Sequence, residues 1–440
     1  MFKSLPGFRD FYPEDCALRN HLFRICRKTA QSFNFKEYDG PILESLDLFK
    51  EKSGEEIVSQ LFAFEDQGGR KVALRPEMTP SLARMIGARA NALKRPIKWF
   101  CIEENFRYER MQKGRTRSFY QFNADIFGEP GPGADAEIIG VLIHSLTVMG
   151  LGPEDFVIRI SDRHLWVLYL KSVGLAEESI FSVLGLIDKL ERMPREDLEK
   201  KLQSFFNDAT EDFLAKVDTL TKIRELADLK RFFEAHVSGP DLVTELDERL
   251  SAWESLMLRL NGMGFGSMVR IDLGIVRGLA YYTGFVFEAF DIQGDHRAIA
   301  GGGRYDHLVK KLGGPELPAV GFAMGDVVIK DFLEEKGLLP NYIQVPDVYA
   351  VIGSDETLPT ALQQIQIFRQ AGYTVDYPIR KIAFGKQFKA ANESGARWAV
   401  IFGDEEVARN SAKLKNLGSG DETEIPLDRL VESIRELDQG

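Results

Sequence analysis

The chain has 440 residues, 28% of them charged, with a formal net charge of −11. That length allows several domains with buried cores. The acidic balance excludes a generally basic nucleic-acid-coating protein, so any RNA contact must come from locally gathered cations. Cys16, Cys26 and Cys101 fit neither a disulfide framework nor a CxxC zinc site, and read as reduced thiols of a cytoplasmic protein. The opening MFKSLPGFRDFYPED lacks the apolar stretch of a signal peptide, and no apolar run predicts a membrane span.

In chain order, Asp15 to Phe33 spells an amphipathic helix with Leu18, Leu22, Ile25 and Thr29 on one stripe. Gly40-Pro41 is a break, and the apolar residues after it suggest a short strand. Phe62 to Asp66, Val72 to Leu74 and Lys98 to Ile102 read as strands, with a helix from Pro80 to Ala92. Alternation without a regular βαβ rhythm predicts an α+β core: a mixed, mainly antiparallel sheet flanked by helices.

After one strand-like stretch, Phe156 to Ile160, the text turns helical from about Asp162 to Asn261. Strands return at Met268 to Leu273 and Phe285 to Phe290, then a glycine cluster and a helix from Asp326 to Glu335. GLLPNYIQVPD reads as a linker. The tail alternates strand, helix and strand from Val348 to Phe402, which predicts a small α/β domain with a parallel-leaning sheet. The expected domains are a core of 1–155 and 266–337, a mainly helical insertion at 156–265, a linker at 338–346, and an α/β domain at 347–440.

Several common chemistries have no motif here. There is no G-x-x-x-x-G-K-[ST] loop, no G-x-G-x-x-G between strand and helix, no H-E-x-x-H and no G-x-S-x-G elbow. The six histidines are scattered, and no protein-held metal is predicted.

Four segments carry the chemistry. In FRYERMQKGRTRSFYQFNADIFG, Arg107, Arg110, Lys113, Arg115 and Arg117 crowd into eleven positions around Gly114. Such a hairpin suits polyphosphate or RNA backbone, and a solvated basic loop is the alternative. In LRPEMTPSLARM, Glu77 and Thr79 stand two apart at a strand-to-helix turn, where both could bind an ammonium group. Thr79 could equally cap the helix, with Pro80 in its first turn. VRGLAYYTGFVFEAF reads by periodicity as a buried strand bearing Tyr281 and Tyr282. In AIAGGGRYDHLVKKLGG and LPAVGFAMG, glycines before Arg304 and at Gly321 and Gly325 allow close approach of a flat ligand or tight turns between strands.

Together these segments resemble the histidyl-tRNA synthetases, class II enzymes, from about Leu5 to Leu437. F-R-x-E-R-x-Q-K-G-R-x-R is similar to their second signature motif, R-P-E-x-T to the amino-group pocket, and R-G-L-A-Y-Y-T to the family's histidine motif. Arg380 to Gly403, with Lys381, Lys386 and Lys389, resembles the anticodon-binding domain. The resemblance implies a histidine–tRNA ligase using ATP and Mg²⁺, a homodimer joined near Pro41, and tRNA-His as partner. It implies catalysis by Arg107 and Arg277. Glu77, Thr79, Arg107, Gln121, Asp125, Arg277, Tyr281 and Tyr282 would bind histidine. Arg107, Arg115, Arg277 and Gly303 would bind ATP, and Arg110, Gln112 and Lys113 would meet the tRNA acceptor end.

The chain departs from the family at three points. Asp125 replaces a usual Glu, and Ala280 a usual Asp. Val327 and Val328 stand where the third motif carries Glu and Arg. A substitute cation is then expected among Arg304, Arg297 and Lys330. The alternative function is a non-aminoacylating paralogue that senses histidine, as in the regulatory subunit of ATP phosphoribosyltransferase. The valines favour that reading, and the tail domain and Gln112 oppose it.

Overall fold

The computed structural model describes residues 2–53, 55–110, 112, 114–187, 189, 193–275, 282–293, 297–340 and 345–439. The chain divides into two compact units, the first ending at Pro340.

The first unit's strands are β1 (Lys36–Glu37), β2 (Leu43–Ser45), β3 (Ala63–Glu65), β4 (Lys71–Leu74), β5 (Ile97–Phe106), β6 (Ser118–Phe127), β7 (Phe156–Asp162), β8 (Val269–Ile271), β9 (Phe285–Asp291), β10 (Ala300–Arg304) and β11 (Ala319–Gly325). Eight of them form one sheet in the order β1-β5-β6-β11-β10-β9-β7-β8, and β2-β4-β3 form a small second sheet. The edge pairings β1–β5 and β7–β8 are parallel, and the interior pairings are antiparallel. This is the mixed, mainly antiparallel sheet that the sequence predicts.

Side chains alternate across a strand, so the sheet sorts its residues by parity. Phe122, Ala124 and Ile126 of β6, with Phe322 of β11, join the main core. Leu22, Cys26 and Ala30 of the helix Pro13–Ser32 share that core, as do Ile138, Ile139 and Leu142 of the helix Pro132–Val148. On the other face Cys101, Phe127 and Ala319 pack with Leu82 and Ile86 of the helix Thr79–Arg89, and the remainder is left for the site.

The helical segment packs onto this same core. Trp253 of the helix Pro240–Gly262 meets Phe285 at 5.1 Å, and its indole N–H donates to Asp162 at 2.7 Å. Arg249 from that helix also reaches Asp162, at 2.5 Å. Strand β7 pairs with β8 and β9 and so belongs to the sheet, whereas the expected insertion begins at residue 156.

The second unit holds β12 (Val348–Ile352), β13 (Val375–Asp376), β14 (Trp398–Phe402), β15 (Ser411–Asn416) and β16 (Glu422–Pro426) in the order β13-β12-β14-β15-β16. Pairing is parallel across β13-β12-β14 and antiparallel beyond, so the sheet is mixed rather than simply parallel-leaning. Val348, Ala350, Val400 and Phe402 pack with the helices Leu358–Gln370 and Leu430–Gln439. Tyr349, Val351 and Ile401 pack with Ala391 of the helix Phe384–Glu393.

Candidate active site

On the open face of the first sheet, β6 presents Phe119, Gln121, Asn123 and Asp125. Opposite them in register stand Gly325 to Gln121, Ala323 to Asn123 and Gly321 to Asp125. Gly301 of β10 stands opposite Ala323, and Glu288 of β9 opposite Gly301. Small residues in the middle strands leave a hollow of about 620 Å³. Arg107, Glu109, Arg115, Phe119, Gln121, Arg297 and Val327 help to line it. Three arginines against one glutamate suit a polyanion.

The glycines have distinct reasons. A Cβ at Gly321 would lie 1.9 Å from an Asp125 oxygen, and one at Gly303 would lie 2.8 Å from the Tyr282 ring. These two positions seat a neighbouring side chain. Gly303, expected at the ATP, is not among the residues lining the hollow, whereas Gly301 and Gly325 are.

Beside the hollow is an acidic pocket. Glu77 and Thr79 are half-buried, while Pro76, Met78 and Pro80 are buried, so the pair faces one way. The helix Thr79–Arg89 is capped at Met78 without a side-chain bond, so Thr79 is not its cap. Lys52 Nζ lies 2.5 Å from the Glu77 carboxylate. Burial pushes the Glu77 pKa up, but Lys52 and Arg107 outweigh it, so the group sits below its ordinary value and is ionised. Asp125 behaves oppositely: burial drives it up to about 7, against the Tyr305 hydroxyl that donates to it and the charge of Lys52. Tyr282 is pushed up by burial and by the carboxylates of Glu77, Glu288 and Asp125 around it. Glu77, Asp125 and Tyr282 thus share one neighbourhood.

Arg107 joins the two regions. It lines the hollow, acts on Glu77, donates Nε to the Pro76 carbonyl at 3.0 Å and lies over Phe119 at 5.2 Å. Its backbone N–H bonds the Arg117 carbonyl at 2.9 Å, extending the β5–β6 ladder. Gly114, at φ +74, turns the tip, where Arg115 N–H meets the Gln112 carbonyl at 2.9 Å. Arg115 pairs with Glu109 at 2.6 Å, and Arg110 and Gln112 are exposed. Arg117 stacks on the exposed Tyr108 ring at 4.3 Å, so it is not a free phosphate ligand at the tip. Arg277, Ala280, Tyr281 and Lys113 lie outside the described residues.

Sequence reasoning missed three residues. Lys52 comes from 25 residues before Glu77. Arg75 is buried and bonds the Gly40 carbonyl at 2.6 Å, the Glu104 carbonyl at 2.9 Å and Glu103 at 2.6 Å, tying the turn to the hairpin base. Tyr305 caps Asp125 from 180 residues away. No local pattern marks such long-range partners.

A mixed antiparallel sheet with a basic hairpin over its open face defines a class II aminoacyl-tRNA synthetase fold, and solved relatives agree. The histidyl-tRNA synthetase from Nostoc sp. PCC 7120 superposes with a TM-score of 0.78 at 27% identity, covering 99% of each chain. The chain belongs to the histidyl-tRNA synthetase family: that family's model matches residues 7–326, and an anticodon binding domain matches residues 347–437. A histidine–tRNA ligase of Opitutus terrae is 51% identical over 435 residues, 99% of this chain and 98% of that one. The chloroplastic/mitochondrial histidine–tRNA ligase of Arabidopsis thaliana is 38% identical over 430 residues, 96% and 85% of the two chains. These findings support an aminoacyl-tRNA ligase and do not favour the regulatory alternative.

Proposed function

We propose that the chain activates histidine with ATP and passes the histidyl group to tRNA-His. The observation that carries this reading is the adjacency of a cationic hollow and an acidic pocket, with Arg107 between them. An amino acid needs an anion for its ammonium and a cation for its carboxylate, and ATP needs cations along its phosphates.

In this reading Glu77 and Thr79 take the α-ammonium, with Lys52 yielding the Glu77 carboxylate. Gln121, Asp125, Tyr281 and Tyr282 surround the imidazole. Arg107 and Arg277 hold the histidine carboxylate against the α-phosphate, and Arg115, with the small wall residues Gly301 and Gly325, serves the rest of ATP. A carboxylate oxygen attacks the α-phosphorus, and pyrophosphate leaves. A ribose hydroxyl of the tRNA then attacks the carbonyl, and AMP leaves. No protein nucleophile is needed; positioning and fixed cations supply the acceleration.

Mg²⁺ held mostly by phosphate oxygens needs only one or two protein carboxylates, and it would neutralise phosphate charge. Glu288, in register beside Gly301 of the hollow's wall, is the carboxylate that would hold the ion. Exposed Arg110 and Gln112, with Lys113, would meet the acceptor end. Exposed Ile42, Leu43 and Phe64 at the small sheet support a homodimer at that surface. The three free thiols accord with a cytoplasmic setting.

Charging of a tRNA-His transcript with radiolabelled histidine tests the whole reading. ATP-dependent, histidine-specific charging is expected. Absence of charging with a competent tRNA would contradict it.

A further inference from the structure

The first turn of the helix Asp326–Glu335 supplies no cation to the nucleotide hollow. Val327 lines the hollow, and a Val328 methyl would lie 3.4 Å from a Cβ at Gly114, under the hairpin tip. Asp326 is taken by Arg9 at 2.8 Å and by the Tyr120 N–H at 2.9 Å. With Arg107 and Arg277 committed to the α-phosphate, the outer phosphates are left to Arg115, whose guanidinium is already paired with Glu109 in the same wall.

Three cations stand in sequence reach of this gap, and the structure separates them. Arg304 is buried between Asp135 and Asp306 and also donates to the carbonyls of Glu129 and Gly131. Its donors point into the fold. Lys330 lies 3.6 Å from Asp15 and lines a different, smaller hollow with Arg9, Phe11 and Arg19. Arg297 lines the large hollow itself, one residue before the run Ala298 to Gly301 that forms its wall. Its guanidinium donates to the side-chain oxygen of Gln112, across the mouth at the hairpin tip.

We infer that Arg297 binds the polyphosphate tail of the nucleotide, supplying the cation that position 328 lacks. The inference rests on the ATP reading of the hollow. Its backbone sits at the lead-in to β10, and its head group reaches the hairpin that carries Arg107 and Arg115. A phosphate chain entering between them meets guanidiniums from two separate elements. Arg presents several donors in one plane, so it can hold a phosphate oxygen while keeping the bond to Gln112.

The test is histidine-dependent ATP–pyrophosphate exchange by the full chain, with KM measured separately for ATP, pyrophosphate and histidine. Arg297→Gln is expected to raise KM for ATP and for pyrophosphate roughly 10- to 100-fold, the size of one charge-assisted hydrogen bond. KM for histidine should stay within about twofold of wild type, on the additivity expected of separate subsites. Arg297→Lys should recover much of the ATP affinity because the charge returns, whereas a merely structural loss would not separate Lys from Gln. Lys330→Ala should leave both constants unchanged. An ATP KM unmoved in Arg297→Gln, or equal losses in Gln and Lys variants, would overturn the inference. Absence of exchange in the wild type would overturn the ATP reading itself, a distinguishable result. If Arg297→Gln exchanges too slowly for a KM, equilibrium titration of that variant with ATP alone gives the same decision.

Discussion

Strands β10 and β11 of the first unit and β12 and β14 of the second are all short strands inside a sheet, yet their faces are filled differently. In β12 and β14 every residue is buried, and both faces meet helices. In β10 and β11 one face packs into the core through Val320 and Phe322, while the other carries Gly301, Ala323 and Gly325 over a hollow of about 620 Å³. Side-chain volume is complete where the sheet has only to be stable and is withheld where a ligand must enter. Substitutions of volume should therefore have opposite consequences in the two sheets.

The largest expected effect is on stability in the filled sheet. Phe402 is fully buried, and Phe402→Ala should lower the unfolding free energy of its unit by about 3–5 kcal/mol, measured by urea denaturation. The matching change in the open sheet is Ala323→Phe. It should shift stability by less than about 1 kcal/mol, since it fills space rather than emptying it, yet raise KM for ATP at least roughly tenfold. Equal stability losses in the two variants would break the comparison.

Next comes the charge between the hollow and the acidic pocket. Arg107→Ala should slow ATP–pyrophosphate exchange by roughly 10²–10³-fold, the usual effect of removing a donor aimed at developing charge. A rate within tenfold of wild type would remove Arg107 from the central role.

The smallest effect sharpens the contrast between the two carboxylates. Asp125 is lifted to about 7, while in the unfolded chain it ionises at the ordinary carboxylate value. The folded state thus retains a proton that the unfolded state gives up. Stability from this group is full below about pH 4 and is lost as pH rises through 7. Between pH 5 and pH 8 the wild type should lose on the order of 2 kcal/mol that Asp125→Asn keeps. Identical pH slopes in the two proteins would contradict the assignment.

The sequence made much of this legible, for physical reasons that differ by element. Val348 to Ile352 and Trp398 to Phe402 are continuous apolar runs between breaks, and both are strands over those same residues. The helix Pro132–Val148 went unread because eleven of its residues are buried, leaving no polar face to reveal a period. Glycines hide β10 and β11 as strands, since glycine and alanine carry little strand signal and Val320 and Phe322 of β11 stand isolated among them. Arg107, Arg115, Glu77 and Gln121 are legible by motif; Arg107, Arg115 and Gln121 line one hollow with Glu77 beside Arg107, whereas Arg110 is exposed and Arg117 stacks on Tyr108. Lys52, Arg75 and Tyr305 were invisible because their partners are distant in sequence. Arg297 could be named only as one cation among three; the hollow distinguishes it from Arg304 and Lys330.

The central claim is that one sheet face seats histidine and ATP together, joined at Arg107. ATP–pyrophosphate exchange, run with each of the amino acids in turn and no tRNA, tests it most directly. Exchange with histidine alone is predicted; exchange with none of them, or with a different one in preference, would contradict the claim.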